Sequence, residues 1–244
     1  MRLPTLLLAC SIAVLAQPGF AQAPAAPAAK PAKTLQYLTP ADIEPARLLP
    51  PPSADGTPAN KAELAELHRI ISTASAERMA QAKWDDDHED ASAFFATIGG
   101  GFDLKTLPAT AAVLEIVETD ASLAGGAAKK FFARKRPWVV DPTIKTCDPD
   151  DKPLTSYPSG HSMMGYSVAM TLAVLIPEKA QAVMARASDY AVSRAVCGAH
   201  YPSDTEASQA LSATVVTSLM HDPQFRARLD AARAELRQAH FTAQ

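Results

Sequence analysis

The chain has 244 residues, with 23 Lys and Arg against 26 Asp and Glu, a formal net charge of −3 and three cysteines. That balance argues against a nucleic-acid binder, which would carry a basic excess on one face. With its Ala/Pro-rich start set aside, the length suffices for one domain with one good core.

Taken in order, Arg2 is followed by an apolar run from Leu6 to Ala16 and then by Gly19, Phe20 and Ala21. A positive start, a short apolar segment and small residues before a cleavage point predict a signal peptide over residues 1–21. The run is shorter than the ~20 apolar residues a membrane span needs. A lipoprotein reading, with Cys10 as the lipidated residue, is the alternative at this point. Residues 22–58 are dominated by Ala and Pro and carry no helical period. They predict a flexible tether whose later part, around Leu48 to Pro52, lies along the domain as an extended arm.

From residue 59 to 244 the apolar positions recur at three and four rather than at two, so the expectation is all-α, a single-domain helical bundle. Leu64, Leu67, Ile70, Ile71 and Ala74 mark one amphipathic helix, and Ala111, Leu114 and Val117 a weaker one near Pro108 to Thr119. Met163 to Ile176 is an apolar helix stopped by Pro177. Ala180 to Val196 and Thr205 to Met220 follow with Ala-rich faces, and Phe225, Leu229, Ala232 and Leu236 stripe a charged last helix. Setting Cys10 aside leaves Cys147 and Cys197, which read either as a disulfide in an oxidising compartment or as two buried thiols.

Three strings carry chemistry. Lys129 and Arg136 lie seven apart and would share a helix face about 10 Å apart along the axis, with Pro137 ending that helix at Arg136. Alone, Lys129, Lys130, Arg134, Lys135 and Arg136 read as a solvated basic face. In the second string, Tyr157 to His161, Ser159 is a natural N-cap. The free N–H groups of the helix start at Gly160 suit phosphate oxygens, and His161 projects from the first turn. The third string contains Arg194, a fork for bidentate phosphate binding, then His200 and Asp204. With Pro202 in the first turn of a new helix, Asp204 accepts from one ring nitrogen of His200 and leaves the other unprotonated.

Order and spacing resemble the signature of the phosphatidic acid phosphatase type 2 superfamily: Lys, six residues, Arg-Pro; Pro-Ser-Gly-His; Ser-Arg, five residues, His, three residues, Asp. The Leu-Leu-Pro-Pro-Pro string ahead of the domain and the Cys-Gly-x-His arrangement at Cys197 to His200 resemble the class A bacterial non-specific acid phosphatases, over roughly residues 38–240. The resemblance implies His200 as nucleophile, Asp204 as its orienting partner and His161 as general acid. It implies Lys129, Arg136, Ser159, Gly160 and Arg194 as the phosphate cage, with no metal and no cofactor. Where many members have an aromatic pair around the nucleophile, Ala199 and Tyr201 flank His200 here, which bears on leaving-group preference.

The expected function is a periplasmic or secreted, metal-independent acid phosphatase that acts on small phosphate monoesters through a phosphohistidine. No nucleic acid and no stable membrane insertion are expected, and a homo-oligomer is left open. Two rivals share the signature: a vanadium-dependent haloperoxidase, since vanadate mimics phosphate, and a non-catalytic phosphate-binding envelope protein. The acidic string from Trp84 to Asp90 could hold a hard cation, but six adjacent polar residues cannot all face one ion, so a solvated loop or helix end is expected. Gly99 to Gly101 is expected to form a turn near the site mouth.

Overall fold

The computed structural model describes residues 33–147 and 152–243. The expected signal peptide, Cys10 and the first part of the tether lie outside the described residues. Seven long helices make up most of the rest: α1 Pro58–Thr73, α2 Ala76–Asp87, α3 Pro108–Phe132, α4 Gly160–Leu175, α5 Ala180–Val196, α6 Pro202–His221 and α7 Pro223–Gln238. No strand occurs among the described residues, as the apolar period predicted.

The helix starts are written locally. Four of the seven, α1, α3, α6 and α7, open with proline in the first turn, where its missing N–H costs nothing. Side chains of Thr57, Ser75, Ser159 and Asp222 accept from main-chain N–H groups at the starts of α1, α2, α4 and α7, each cap stabilising its helix by about 1 kcal/mol.

Helix α4 is the core element. It is apolar almost all round rather than striped, which suits a helix enclosed by others: Met163, Val168, Ala169, Leu172 and Leu175 are buried, and α3, α5 and α6 pack around it. Close approach is made by glycine. A Cβ on Gly165 would stand 2.9 Å from Cδ1 of Tyr190 on α5, and one on Gly125 of α3 would stand 3.4 Å from Cγ of Met163. The arm also contributes, for Leu38, Ile43 and Leu49 are buried in the same core, and the carboxylate of buried Asp120 accepts from the main-chain N–H of Gln36 (2.8 Å) and Tyr37 (3.3 Å). Within it, Pro45–Leu48 forms one helical turn rather than extended chain.

Two expectations are corrected. The weak helix near Pro108 to Thr119 runs on to Phe132, straight through Gly125 and Gly126, because Val113, Leu114, Val117, Ala121, Ala124 and Ala128 form one continuous buried stripe whose packing outweighs the roughly 1 kcal/mol helix penalty of each glycine. Helix α3 then stops at Phe132, not Arg136: Ala133 turns left-handed (φ 46°, ψ 39°) and Arg136 is extended (φ −66°, ψ 153°). Lys129 and Arg136 therefore do not share a helix face. Proline at 137 disfavours helical backbone at Arg136, and the Arg136 N–H instead donates to Pro153 O at 2.9 Å.

Candidate active site

Helix α4 begins where a chain reversal, with a cis Tyr157–Pro158 bond, delivers Ser159. The Ser159 hydroxyl accepts from the N–H of Ser162 (3.3 Å) and from its hydroxyl (3.1 Å), so it caps α4. Its own N–H donates to Asp204 O at 3.3 Å. Ser159 thus ties the start of α4 to the start of α6, and the Gly160 end is left to face the site. His161 sits in the first turn, its ring stacked on Tyr190 (centroids 6.2 Å, 26° between planes), which the glycine at 165 lets in.

The segment joining α5 to α6 is held from three sides. Cys147 and Cys197 are joined in a disulfide with Cα atoms 5.0 Å apart, and the Cys147 N–H donates to Cys197 O at 3.0 Å. Gly198 takes φ +64°, and a Cβ there would lie 2.7 Å from Lys145 O and 2.9 Å from Cγ2 of Ile144, so only glycine fits the crossing. Two residues on, His200 is buried, its Nδ1 3.3 Å from Oδ2 of Asp204 and its Nε2 2.9 Å from Nη1 of Arg136. Because a guanidinium can only donate and Asp204 accepts, the proton belongs on Nδ1 and the lone pair on Nε2.

Asp204 is the best-connected side chain of the site. Its Oδ2 also accepts from the Ser156 hydroxyl (2.5 Å) and the Tyr201 N–H (2.9 Å), and its Oδ1 takes Nη1 of Arg134 at 2.6 Å. Arg134 is not part of a solvated basic face. It is buried, donates also to Glu63 on α1 (2.7 Å) and to the Ser203 hydroxyl (2.8 Å), and stands 3.9 Å over the ring of Tyr201. That stacking places Tyr201 in the interior, fully buried, so the aromatic neighbour of His200 supports Arg134 rather than facing the cleft. Sequence reasoning missed Arg134; its spacing two before Arg136 was the only signal, and basic runs usually are solvated.

The remaining cations converge on His200. Arg136, buried, donates to Ala199 O (3.0 Å) and to the Thr155 hydroxyl (3.3 Å); the ammonium of Lys129 donates to Thr155 O; Arg194, buried at the end of α5, pairs with Asp86. Burial first, then Arg136, Lys129, Arg194 and His161, hold the pKa of His200 well below the usual imidazole value. His161 is pushed down to about 3, by burial and then by Arg194, Lys129 and Arg136, against a hydrogen bond to Asp86 O. Both rings are therefore neutral at ordinary pH. Burial raises Asp204, and Arg134 and the Ser156 hydroxyl oppose it; with four donors on the carboxylate we take the ionised form as the one the site is built for.

The acidic string is a helix end, one of its two expected placements, but it is not solvated throughout. It ends α2, and Asp85 is fully buried, paired with Arg186 and accepting from the Ser193 hydroxyl. The carboxylate of Asp86 meets Arg194, and its carbonyl lies 3.0 Å from Nε2 of His161. Glu89 Oε1 is 3.5 Å from Nδ1 of His161 and would be 3.2 Å from a Cβ on Gly160. His88 turns away onto Trp84 (rings 3.9 Å apart). Among the described residues no three His, Cys, Asp or Glu side chains converge as metal ligands. The turn at Gly99 to Gly101 has three positive φ values, but Gly100 packs on Phe241 beyond α7 and not on the site.

A cavity of about 360 Å³ opens beside the cage, lined by Glu89, Glu118, Gly125, Lys129, Gly160 and Met163 among others. The pKa of Glu118, mainly through burial, is raised to about 7. The arrangement can bind a tetrahedral anion between Lys129, Arg136, Arg194 and the start of α4, present Nε2 of His200 to it, and set His161 on its flank.

Comparison with known proteins matches residues 109–228 to the PAP2 superfamily model, a span that includes Lys129, Arg134, Arg136, His161, Arg194, His200 and Asp204. The chain is 32% identical over 207 residues to a protein of Zymomonas mobilis named acid phosphatase, covering 82% of this chain and 78% of that one. It is 31% identical over 196 residues to the non-specific acid phosphatase of Salmonella typhimurium (77% and 78% covered) and 30% identical over 203 residues to that of Providencia stuartii (79% and 81%). No helix among the described residues is long and apolar enough to cross a membrane.

Proposed function

The chain belongs to the PAP2 superfamily and, within it, to the class A non-specific acid phosphatases, and from that premise we propose an exported enzyme that hydrolyses phosphate monoesters through a phosphohistidine on His200, without a metal. The phosphatase activity follows from the family; the route and the compartment are our reading. The observation that carries the route is the pair of contacts on His200. Asp204 accepts from Nδ1–H, so the lone pair is on Nε2, where Arg136 meets it among the three cations of the cage.

In the first step Nε2 of His200 forms a bond to phosphorus as the bond from phosphorus to the alcohol oxygen breaks. Lys129, Arg136, Arg194 and the Gly160 N–H take the charge on the equatorial oxygens. Nε2 of His161 donates to the Asp86 carbonyl, so the transferable proton of the imidazolium is on Nδ1, and it goes to the departing oxygen. Water then attacks phosphorus and gives a proton to His161. The nitrogen–phosphorus bond breaks, and orthophosphate leaves with His200 neutral as it began. With only the protein's own groups around it His161 is neutral above about pH 3; the proton therefore comes in with the substrate, whose negative charge opposes that of the surrounding cations.

Export is supported by the short apolar run at the start of the sequence and by the Cys147–Cys197 bridge, since disulfides persist in oxidising compartments. The test of the whole reading is p-nitrophenyl phosphate hydrolysis with excess EDTA, beside His200→Ala, with acid-labile, base-stable radiolabel sought on the protein after rapid quenching. Activity that survives chelation, disappears in the variant and passes through a labelled histidine is expected. Activity removed by EDTA, or substantial turnover by His200→Ala, would overturn the mechanism.

A further inference from the structure

Two carboxylates stand inside the cage. Arg194 is only 1% exposed, and Asp86 gives this buried cation a partner through Nη1, while Nε of Arg194 has no hydrogen-bond partner among the described residues. Glu89 Oε1 lies against Gly160 and 3.5 Å from Nδ1 of His161, where a phosphate oxygen would meet the start of α4. The carbonyl of Asp86 holds the other nitrogen of the same ring.

Arg194 is a partner that a bound phosphate would also seek, and a buried guanidinium without a counter-charge is costly. Asp86 supplies that charge to Arg194. A dianion entering the cage must displace the two carboxylates or sit beside them, and at such separations like charges repel strongly enough to weaken binding tenfold or more.

We propose that Asp86, assisted by Glu89, is an internal anion that competes with phosphate for Arg194 and for the Gly160 end of α4, weakening the hold on product so that orthophosphate leaves readily. The proposal rests on the phosphatase reading above. It assigns the acidic end of α2 a share in setting affinity, and it explains why α2 brings acidic side chains to an anion site. Asp86 carries the larger part, because it is the more buried of the two: its side chain is 12% exposed, whereas that of Glu89 is 50% exposed.

The test uses Asp86→Asn and Glu89→Gln, each in the full mature chain, with inorganic phosphate as the probe. Its inhibition constant is read against p-nitrophenyl phosphate, and its binding is read by calorimetry in a His200→Ala background, which does not depend on turnover. The expected result is phosphate held roughly tenfold or more tightly in Asp86→Asn, with KM lowered in step, and a smaller shift of the same sign in Glu89→Gln. Affinity for phosphate unchanged or reduced in both variants overturns the competition and makes Asp86 a positioning residue for Arg194. If Asp86→Asn does not fold, the sign of the Glu89→Gln shift decides. A wild-type protein with no affinity for phosphate would overturn both this proposal and the phosphatase reading, whereas binding indifferent to the two carboxylates overturns the competition alone.

Discussion

Replacing Arg134 by Met keeps the volume and removes one charge. Asp204 is fully buried and loses its guanidinium partner, Nη1 at 2.6 Å, and Glu63 loses Nη2 at 2.7 Å. Leaving one member of a buried ion pair uncompensated costs about 3–5 kcal/mol. For a domain of this size 1 kcal/mol shifts Tm by about 2–4 °C, so Arg134→Met should melt roughly 6–20 °C lower. The second consequence is chemical. Arg134 is the group that most opposes the upward push of burial on the Asp204 carboxyl, so without it Asp204 protonates at higher pH and releases the Nδ1 proton of His200. Activity in the variant should then fall on acidification over a range where the wild type holds, and recover as pH rises. The assays are thermal unfolding and a pH profile of kcat/KM, with Glu63→Gln as a milder control. A Tm within 2 °C of wild type together with an unaltered acid limb would refute the assignment of Arg134 as the counter-charge of the nucleophile's partner.

His161→Ala should slow alkyl phosphates far more than p-nitrophenyl phosphate, whose leaving group needs little protonation; equal losses on both would remove His161 from the acid role. Since the protein's own groups keep His161 neutral, the alkaline limb of kcat/KM should follow the second ionisation of the substrate, about 6 for simple monoesters, and move when an ester of different pKa is used. A limb that stays put would refute the idea that the proton arrives with the substrate. Gly198→Ala places a Cβ 2.7 Å from Lys145 O at a positive φ and should cost about 1–3 kcal/mol, read as a lower urea midpoint; an unchanged midpoint would refute the fit. Reducing the Cys147–Cys197 bridge, which closes a loop spanning 50 positions, should cost about 4 kcal/mol in the chain-entropy model, seen as a fall in Tm under reductant, and no shift would refute it.

Much of the fold could be read without coordinates because helices report themselves locally. Apolar spacing of three and four placed α5 at its observed bounds and α4 and α6 within a few residues of theirs, and the stripe from Phe225 to Leu236 lies inside α7. Where reading failed, tertiary packing prevailed. Gly125 and Gly126 look like a break until the buried stripe of α3 is seen to continue past them, and the end of that helix was set by Ala133 and by the bond from Arg136 to Pro153, neither of which has a local signature.

Within the candidate site, the sequence determined which functional groups are available. Histidine and carboxylate four apart across a proline-started helix must meet, and serine and glycine before an apolar run must cap a helix and open its N–H groups, because both relations lie within one turn. Only the tertiary structure decided how those groups are used. It tied Ser159 at the start of α4 to Asp204 at the start of α6, buried Arg134 against Asp204 and Tyr201, and set Asp86 and Glu89 on the cage. These pairings join residues from about 45 to more than 100 positions apart, and a long-range charge pairing has no period in the chain; it exists only where packing brings two elements together and burial makes an unpaired charge too costly to leave.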